Sequence, residues 1–345
     1  MNPSLPEPPL EPLDTSEEVV AHTWKPLREI AKYSAALLIM VAAFLLMRQK
    51  LAKIEWDDFV AGLQSISPVW LAVAVALVAV NYLVLTGYDF IAVRYLKKQL
   101  PIRRIMVGAI AGYAISNLLG WIFGGTAVRY RLYTSWGFSF REVVAFVSIL
   151  SLTFWLGMFL LAGFAFVAFD VHLPPQFAEH TIFTPYVWGW IFLGVVASYL
   201  LACALWRRPI RWGQDEFQLP PLPLSAQQLI VSACDFALAS SVLYVLLPHD
   251  LANFSTVLVA YLAGMILTVI THVPGGIGVL DATLLYMLHA DDDRLPGVAA
   301  GLVVFRVVYY FLPAMVAALL IVMNEVEMRT LAAQAKPAAK PKPAT

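Results

Sequence analysis

Several ionisable side chains of this 345-residue chain stand inside or at the edges of long apolar stretches, where charges are rare. They are Asp89, Arg129, Arg131, Asp235, Asp281 and Arg306. A charged group at membrane depth is costly, so that it usually faces a protein interior or a water-filled cavity and finds a partner there. These residues are therefore the first candidates for a binding site.

The arginines among them have the chemistry of a phosphate site, because a planar guanidinium can donate two parallel hydrogen bonds to one anion. Arg129 and Tyr133 are spaced four residues apart and share a helix face, and Arg306 lies in the middle of the last apolar stretch. The sequence leaves an alternative open. Arg129 and Arg131 could extend from a helix end to the cytoplasmic headgroups, and Arg306 could form only a structural ion pair.

The acids complete the predicted substrate-binding set of Arg129, Arg131, Tyr133, Arg306, Asp281 and Asp235. Asp281 and Arg306 are separated by a short loop, so that neighbouring antiparallel helices could pair them. Asp235 lies well inside its apolar stretch. It is either the buried partner of an arginine or a carboxylate that couples transport to protons.

Two glycine-rich breaks interrupt the apolar pattern close to these charges. The predicted irregular backbone comprises Gly124 and Gly125 in the first break and Pro274, Gly275, Gly276 and Gly278 in the second. Backbone groups freed by glycine and proline survive in hydrocarbon only where protein or a water-filled cavity surrounds them. Breaks at corresponding positions of two halves indicate a transport site. We expect the opened helix ends to offer N–H groups to an anionic headgroup.

The composition identifies the elements that position these residues as membrane helices. The chain is 60% hydrophobic and 13% charged, whereas a soluble domain carries about 25% charged residues. Apolar stretches fall near 33–47, 69–93, 143–169, 186–206, 227–247, 254–272 and 298–323, with the broken segments 105–128 and 274–290 in addition. We predict an all-α polytopic membrane protein with about eight transmembrane helices and one or two re-entrant segments.

The distribution of basic residues predicts the orientation. Basic clusters at 94–104, 129–141 and 207–211 should be cytoplasmic, and the first two flank 105–128, which should therefore enter and leave on one side. If 274–290 crosses fully, both chain termini are cytoplasmic, and if it is re-entrant, the C-terminus lies outside. The basic C-terminal tail favours the cytoplasmic side. We predict a multi-pass protein of the bacterial inner membrane.

The remaining sequence predicts tails and excludes several chemistries. Residues 1–30 read as a disordered cytosolic tail, 31–325 as one transmembrane domain and 326–345 as a basic Lys/Pro/Ala tail. We find no P-loop, no zinc motif and no nucleophile elbow, so that no enzyme activity, cofactor or metal is expected. A formal net charge of +0 gives no reason to expect a nucleic-acid partner.

At its two breaks the sequence resembles the lysylphosphatidylglycerol synthase transmembrane-region family. This family includes the flippase half of MprF proteins and stand-alone YbhN-like inner-membrane proteins. The resembling residues are Asn117, Gly124 and Gly125 with Arg129, Tyr133 and Gly137, then 274–279 with Asp281, Arg306 and Pro313. The family more usually has glutamate where Asp281 stands. The soluble aminoacyl-transferase domain of the full-length MprF proteins has no counterpart here, so that no synthase activity is expected.

The resemblance implies movement of a phospholipid, or of a lipid-linked molecule, between the two leaflets. The expected partners are membrane lipids with anionic headgroups. Two other functions stay open at this point: an integral-membrane enzyme of lipid metabolism, and a scaffold for a lipid-synthesising enzyme.

Overall fold

The computed structural model describes residues 54–120, 124–169, 183–206, 208, 210–212, 215–288 and 293–334. The apolar stretch near 33–47, the tail at 1–30 and the last eleven residues of the basic tail lie outside the described residues. Within them, seven helical segments are long and apolar enough to cross a membrane, judged by length and composition. The predicted all-α class is confirmed, with one small two-stranded hairpin as the exception.

The helices are α1 (Trp56–Ser65), α2 (Pro68–Tyr95), α3 (Ile102–Leu119), α4 (Thr126–Ser135), α5 (Phe140–Ala168), α6 (Pro185–Leu205), α7 (Leu222–Leu246), α8 (Phe254–Thr271), α9 (Val279–Met287), α10 (Leu295–Arg306) and α11 (Leu312–Gln334). The short antiparallel strands β1 (Ile210–Trp212) and β2 (Asp215–Phe217) lie between α6 and α7. A 3₁₀ turn (Pro274–Gly276) precedes α9, and a π-helical segment (Val307–Phe311) joins α10 to α11.

Local sequence signals start several of these helices. Ser67 accepts a hydrogen bond from the N–H of Val69 at the start of α2, where Pro68 occupies the first helical position. Ser139 and Glu142 form a capping box at the start of α5. Such caps satisfy N–H groups that a helix leaves without an internal partner, and they set where each helix begins.

The antiparallel pair of α2 and α7 forms the centre of the bundle. At mid-length the Asn81 amide donates to the Asp235 side chain at 3.0 Å. At one end Tyr95 Oη donates to the Gln218 carbonyl at 2.5 Å, and at the other the rings of Trp70 and His249 lie 4.8 Å apart. We call the end near Tyr95 the basic face and the end near His249 the opposite face.

Helices α3 and α4 form the first hairpin, which begins and ends at the basic face. Helix α4 runs back along α3, so that Gly112 faces the Arg129 guanidinium and Gly108 faces the Tyr133 ring. The absence of side chains at these glycines, which are four residues apart, permits this close packing. Lys98, which precedes α3, forms a 2.8 Å ion pair with Glu142, in the first turn of α5. The segment between them therefore goes out and returns.

Helices α8 and α9 form the second hairpin, which begins and ends at the opposite face. Gly264 of α8 faces the side chain of Leu280 in α9. Arg294, which precedes α10, forms a 3.2 Å ion pair with Asp250, which precedes α8. The two hairpins have similar proportions, because helices of 18 and 10 residues in the first correspond to helices of 18 and nine residues in the second. They enter the bundle from opposite ends.

The second hairpin also determines the path of the C-terminal part of the chain. Both sequence-based alternatives for 274–290 have α8 crossing the membrane fully. In the structure, α8 leaves the opposite face and α9 returns to it. The continuous segment α10–α11 then runs from the opposite face to the basic face, where Glu327 pairs with Arg103 at 3.2 Å. Both segments are hairpins, and the end of α11 nevertheless lies at the basic face. Helix α11 extends to Gln334, so that the first part of the predicted tail is helical.

We predict that Gly124→Ala destabilises the first hairpin. A Cβ built at Gly124 lies 2.6 Å from the Ile115 carbonyl oxygen, which is backbone and cannot turn away. The expected loss is about 1–3 kcal/mol in the free energy of unfolding, measured by denaturant titration of purified protein in detergent. Gly194→Ala on α6 is the control, because a Cβ there has nothing within 4 Å. Equal stability of the two variants would contradict the close packing of the hairpin.

Candidate functional site

The tips of the two hairpins meet and enclose one side of a cavity of about 270 Å³. The approach is close, because a Cβ built at Gly275 lies 3.0 Å from the Asn117 carbonyl oxygen. Gly275 also has a φ of +62°, which favours glycine. The lining comes from the end of α3, from α5, from α8 and the second tip, and from the π-helical segment: Ser116, Asn117, Leu119, Gly120, Ser151, Phe154, Trp155, Met265, Thr268, Val269, His272, Val273, Gly275, Gly276 and Tyr310.

Two hydroxyl groups of the lining have matching positions in the two hairpins. Ser116 and Thr268 each lie three residues before the end of the first helix of their hairpin. Each hydroxyl rests against a glycine of the returning segment, Gly125 for Ser116 and Gly276 for Thr268. Neither oxygen has a hydrogen-bond partner among the described residues. A buried hydroxyl without a partner is costly, so that either oxygen would gain a hydrogen bond if movement of its hairpin opened it to the cavity.

The first hairpin is tied to α2 by a fully buried cluster. The Arg129 guanidinium lies 3.3 Å from Asp89 Oδ1, and Tyr133 Oη donates to Asp89 Oδ2 at 2.7 Å. The guanidinium carbon also lies 4.2 Å from the centre of the Tyr113 ring. Arg129 and Tyr133 act together, as their four-residue spacing predicts, and their common partner is Asp89. The cluster provides charge compensation for an arginine that is entirely removed from solvent.

The second hairpin is tied to α10 by the predicted pair of Asp281 and Arg306. Arg306 Nη2 lies 2.6 Å from Asp281 Oδ2, and Nε donates to Oδ1 at 3.1 Å. The same guanidinium donates to the carbonyl oxygens of Gly275 and Gly276 at 3.1 and 3.3 Å. Asp281 Oδ2 in turn accepts from the Gly278 N–H at 2.9 Å and caps α9. Arg306 therefore satisfies backbone groups that the break leaves open.

Asp235 stands in a third cluster, which contains no cation among the described residues. Its carboxylate accepts hydrogen bonds from the Asn81 amide at 3.0 Å and from Tyr88 Oη at 2.9 Å. The Asn81 side-chain oxygen accepts in turn from Tyr309 Oη at 3.3 Å. Of the two sequence-based alternatives for Asp235, the arginine partner has no counterpart in the part of the chain described here.

The structure separates the predicted site residues into groups. Arg129 and Tyr133 lie behind the first tip, Asp281 and Arg306 behind the second, and Asp235 between α2 and α7. Arg131 lies apart from all of them at the basic face, where its side chain is 71% exposed and pairs with Glu325. That these side chains meet phosphate stays a prediction, because none of them is part of the cavity lining described above.

The expected free N–H groups at the tips are largely occupied. The N–H groups of Gly124 and Gly125 donate to the Gly120 carbonyl, and that of Gly276 donates to the Val273 carbonyl. The Gly278 N–H donates to Asp281, as described above. At these four glycines the expectation was wrong in this arrangement, because turns and a capping carboxylate satisfy the backbone locally.

Sequence reasoning missed several residues of the site. Asp89 was recognised as a charge at membrane depth, but its partnership with Arg129 was not. Ser116 and Thr268 were not recognised as site residues, because serine and threonine are common in membrane helices. The signal that could have found them is positional. Each hydroxyl precedes the glycine break of its own half by a similar distance.

Comparisons with known proteins find relatives that match most of the chain. The family model described as the lysylphosphatidylglycerol synthase TM region matches residues 33–317. The chain is 33% identical over 297 residues to the uncharacterized protein slr0712 of a Synechocystis strain, covering 84% of this chain and 90% of that protein. It is 30% identical over 311 residues to the inner membrane protein YbhN of Escherichia coli, covering 90% and 97%.

A longer relative matches over a part of its length. The phosphatidylglycerol lysyltransferase of Staphylococcus xylosus is 25% identical over 298 residues, which cover 84% of this chain and 34% of that protein. Since the family model matches most of the chain, the chain belongs to the family of the lysylphosphatidylglycerol synthase transmembrane region. The resemblance found at the two breaks is confirmed, and the chain is a multi-pass membrane protein.

We predict that Arg129→Leu destabilises the protein by about 3–5 kcal/mol, because it leaves the Asp89 carboxylate buried without its cation. Arg131→Leu, two positions along the same helix, removes an exposed ion pair and should cost less than about 1 kcal/mol. Denaturant unfolding in detergent measures both. Adding Asp89→Asn to Arg129→Leu should recover part of the loss. Similar losses for the two arginine variants would contradict the buried pair.

Proposed function

We propose that this protein moves a phospholipid, or another lipid with a phosphate-containing headgroup, across the bacterial inner membrane. The observation that carries the proposal is the cavity between the tips of two hairpins that enter from opposite faces. Irregular backbone at membrane depth is tolerated where it lines a cavity, and paired breaks of this kind are a feature of transport sites. In this function the protein moves the lipid and does not change it chemically.

The lining suits the two parts of a lipid. Trp155, Met265 and Val269 provide apolar contact for acyl chains, and the hydroxyls of Ser116 and Thr268 would offer hydrogen bonds to headgroup oxygens once the tips separate. We infer that the headgroup passes between the tips while the acyl chains follow the apolar residues of the lining. The family description and the name of the Staphylococcus relative both refer to phosphatidylglycerol, which supports an anionic phospholipid as substrate.

The arginine pairs have a positioning role in this proposal. Each pair joins a hairpin to a helix of the surrounding bundle, α2 for Arg129 and α10 for Arg306. A headgroup phosphate could compete with either carboxylate for its arginine, and the hairpin would then be released. This is how the predicted phosphate contacts of Arg129 and Arg306 would arise during transport.

The proposed placement in the membrane follows from charge. We propose that the basic face, with Lys98, Arg103 and Arg131, is cytoplasmic. Each hairpin is then a re-entrant element, the first from the cytoplasmic side and the second from the other side. The end of α11 faces the cytoplasm. The E. coli relative is named an inner membrane protein, which supports this location.

We predict that Ser151→Trp blocks transport. Ser151 lines the cavity from α5, and a tryptophan there would occupy space that the headgroup needs. Movement of fluorescently labelled phosphatidylglycerol between leaflets, measured by quenching of the outer leaflet in proteoliposomes, should slow by roughly tenfold or more, equivalent to about 1.4 kcal/mol or more in activation free energy.

Ser148→Trp is the matched control. Ser148 lies on the same helix, is exposed, and donates to the carbonyl four residues earlier at 2.9 Å, as Ser151 does at 3.1 Å. Its substitution should leave lipid movement unchanged. Absence of protein-dependent lipid movement in the wild type would refute the proposed function, and equal rates in the two variants would refute the assignment of the cavity.

A further inference from the structure

The carboxylate of Asp235 differs from the other buried acids. Asp89 and Asp281 are each paired with an arginine, whereas Asp235 has no cationic partner among the described residues. A buried charge without a counter-ion is costly, and a carboxyl group in that position can avoid the cost by binding a proton. The surrounding hydrogen bonds determine whether both forms can be accommodated.

The hydroxyl of Tyr88 connects Asp235 to a second residue of α7. Tyr88 Oη lies 2.9 Å from Asp235 Oδ2 and 2.9 Å from Ser232 Oγ. Its single proton can serve only one of these oxygens at a time. Ser232 Oγ in turn lies 3.5 Å from the carbonyl oxygen of Phe154 on α5. Gly157 permits this approach, because a Cβ at that position would overlap Ser232.

The chain of hydroxyls can be satisfied in two directions. When Asp235 is ionised, Tyr88 donates to the carboxylate and Ser232 donates to Tyr88. When Oδ2 carries a proton taken from water, that proton is donated to Tyr88, Tyr88 donates to Ser232, and Ser232 donates to the Phe154 carbonyl. The Asn81 amide donates to Oδ1 in both cases. The distances of 2.9, 2.9 and 3.5 Å along the chain allow a hydrogen bond in either direction.

We propose that Asp235 is a proton-binding site, and that proton binding reverses this hydrogen-bond chain and thereby changes the wall of the cavity. The chain ends at Phe154, which lines the cavity. A second branch, from Asn81 to Tyr309, is the same in both forms and connects Asp235 to the π-helical segment. Both branches leave from the crossing of α2 and α7 at the centre of the bundle.

The ionisable groups around Asp235 are tyrosines and charges that are already held in ion pairs, so that Asp235 is the group expected to titrate. Those that interact with it electrostatically are tyrosines from α2, α3, α8 and the π-helical segment: Tyr82, Tyr88, Tyr113, Tyr261 and Tyr309. Helix α5 carries its only titratable residues, Arg141 and Glu142, in its first turn, and α10 carries only Arg306, which is paired with Asp281. Helix α6 contacts α7 about two helical turns from Asp235, where Tyr199 donates a hydrogen bond to Gln228.

Infrared difference spectroscopy of the purified full-length protein in detergent tests the proton site directly. Because the chain has 23 acidic residues, the signal is the difference between two proteins: lowering the pH should produce one carboxylic-acid C=O band in the wild type that Asp235→Asn lacks. A wild-type spectrum without such a band, or an unchanged band in Asp235→Asn, would overturn the proposal. This measurement requires no lipid substrate.

Two further variants test the chain and shift the midpoint of the band in opposite directions. Tyr88→Phe removes a bond from both forms, but the bond to the ionised carboxylate is charge-assisted and stronger, so the midpoint should rise by about one pH unit, a tenfold change in proton affinity. Ser232→Ala removes the acceptor that the protonated form needs and should lower it by about as much. Ser240→Ala, a buried serine of the same helix that donates to the Phe236 carbonyl, should leave it unchanged. Shifts in one direction, or none, would overturn the chain.

The coupling to transport, unlike proton binding, rests on the proposed function. In proteoliposomes of phosphatidylethanolamine and phosphatidylglycerol, an imposed pH gradient should bias the distribution of labelled phosphatidylglycerol for the wild type and not for Asp235→Asn. If the wild type moves lipid but its final distribution does not depend on the pH gradient, only the coupling is overturned. No lipid movement under any gradient would overturn the proposed function, while the infrared result would still decide whether Asp235 binds a proton.

Discussion

The hydrogen bonds of one guanidinium make the second tip possible. A chain that turns back inside a membrane exposes carbonyl groups that lipid cannot satisfy. Arg306 donates to the carbonyls of Gly275 and Gly276 and neutralises Asp281, which in turn caps α9 through Gly278. One partly buried side chain thus connects the backbone of the break, the start of the returning helix and the surrounding bundle. The position of the second tip, and with it one wall of the cavity, depends on this connection.

The two hairpins use the same device with opposite polarity. In the first, the hairpin carries the cation, Arg129, and α2 carries the anion, Asp89. In the second, the hairpin carries the anion, Asp281, and α10 carries the cation, Arg306. Each ion pair joins its hairpin to a different helix of the bundle. Breaking one pair therefore leaves the charges of the other pair compensated. The hairpins enter from opposite faces, and in the proposed orientation each side of the membrane therefore has its own hairpin.

The sequence allowed much of this to be predicted, for identifiable reasons. Apolar stretches and the two glycine breaks located the helices and both tips, since hydrophobic length and glycine act locally. The pairing of Asp281 with Arg306 followed from their short separation along the chain. The pairing of Arg129 with Asp89 did not, because it depends on which helices pack side by side. The return of α8–α9 to the opposite face was missed for a related reason: an apolar helix of 18 residues has the length of a crossing.

The direct contact between the tips constrains how the cavity can open. Gly275 packs against the Asn117 carbonyl, and the Asn117 amide lies 3.4 Å from Tyr82 Oη on α2. With no side chain between the two backbones, neither tip can advance toward the other, and withdrawal of one leaves carbonyl and amide groups that water or a ligand must satisfy. Under the proposed function, a headgroup that supplies those hydrogen bonds would stabilise the separated tips. Packed contacts of this kind have discrete alternatives, so that opening would be a switch between two arrangements and not a gradual widening.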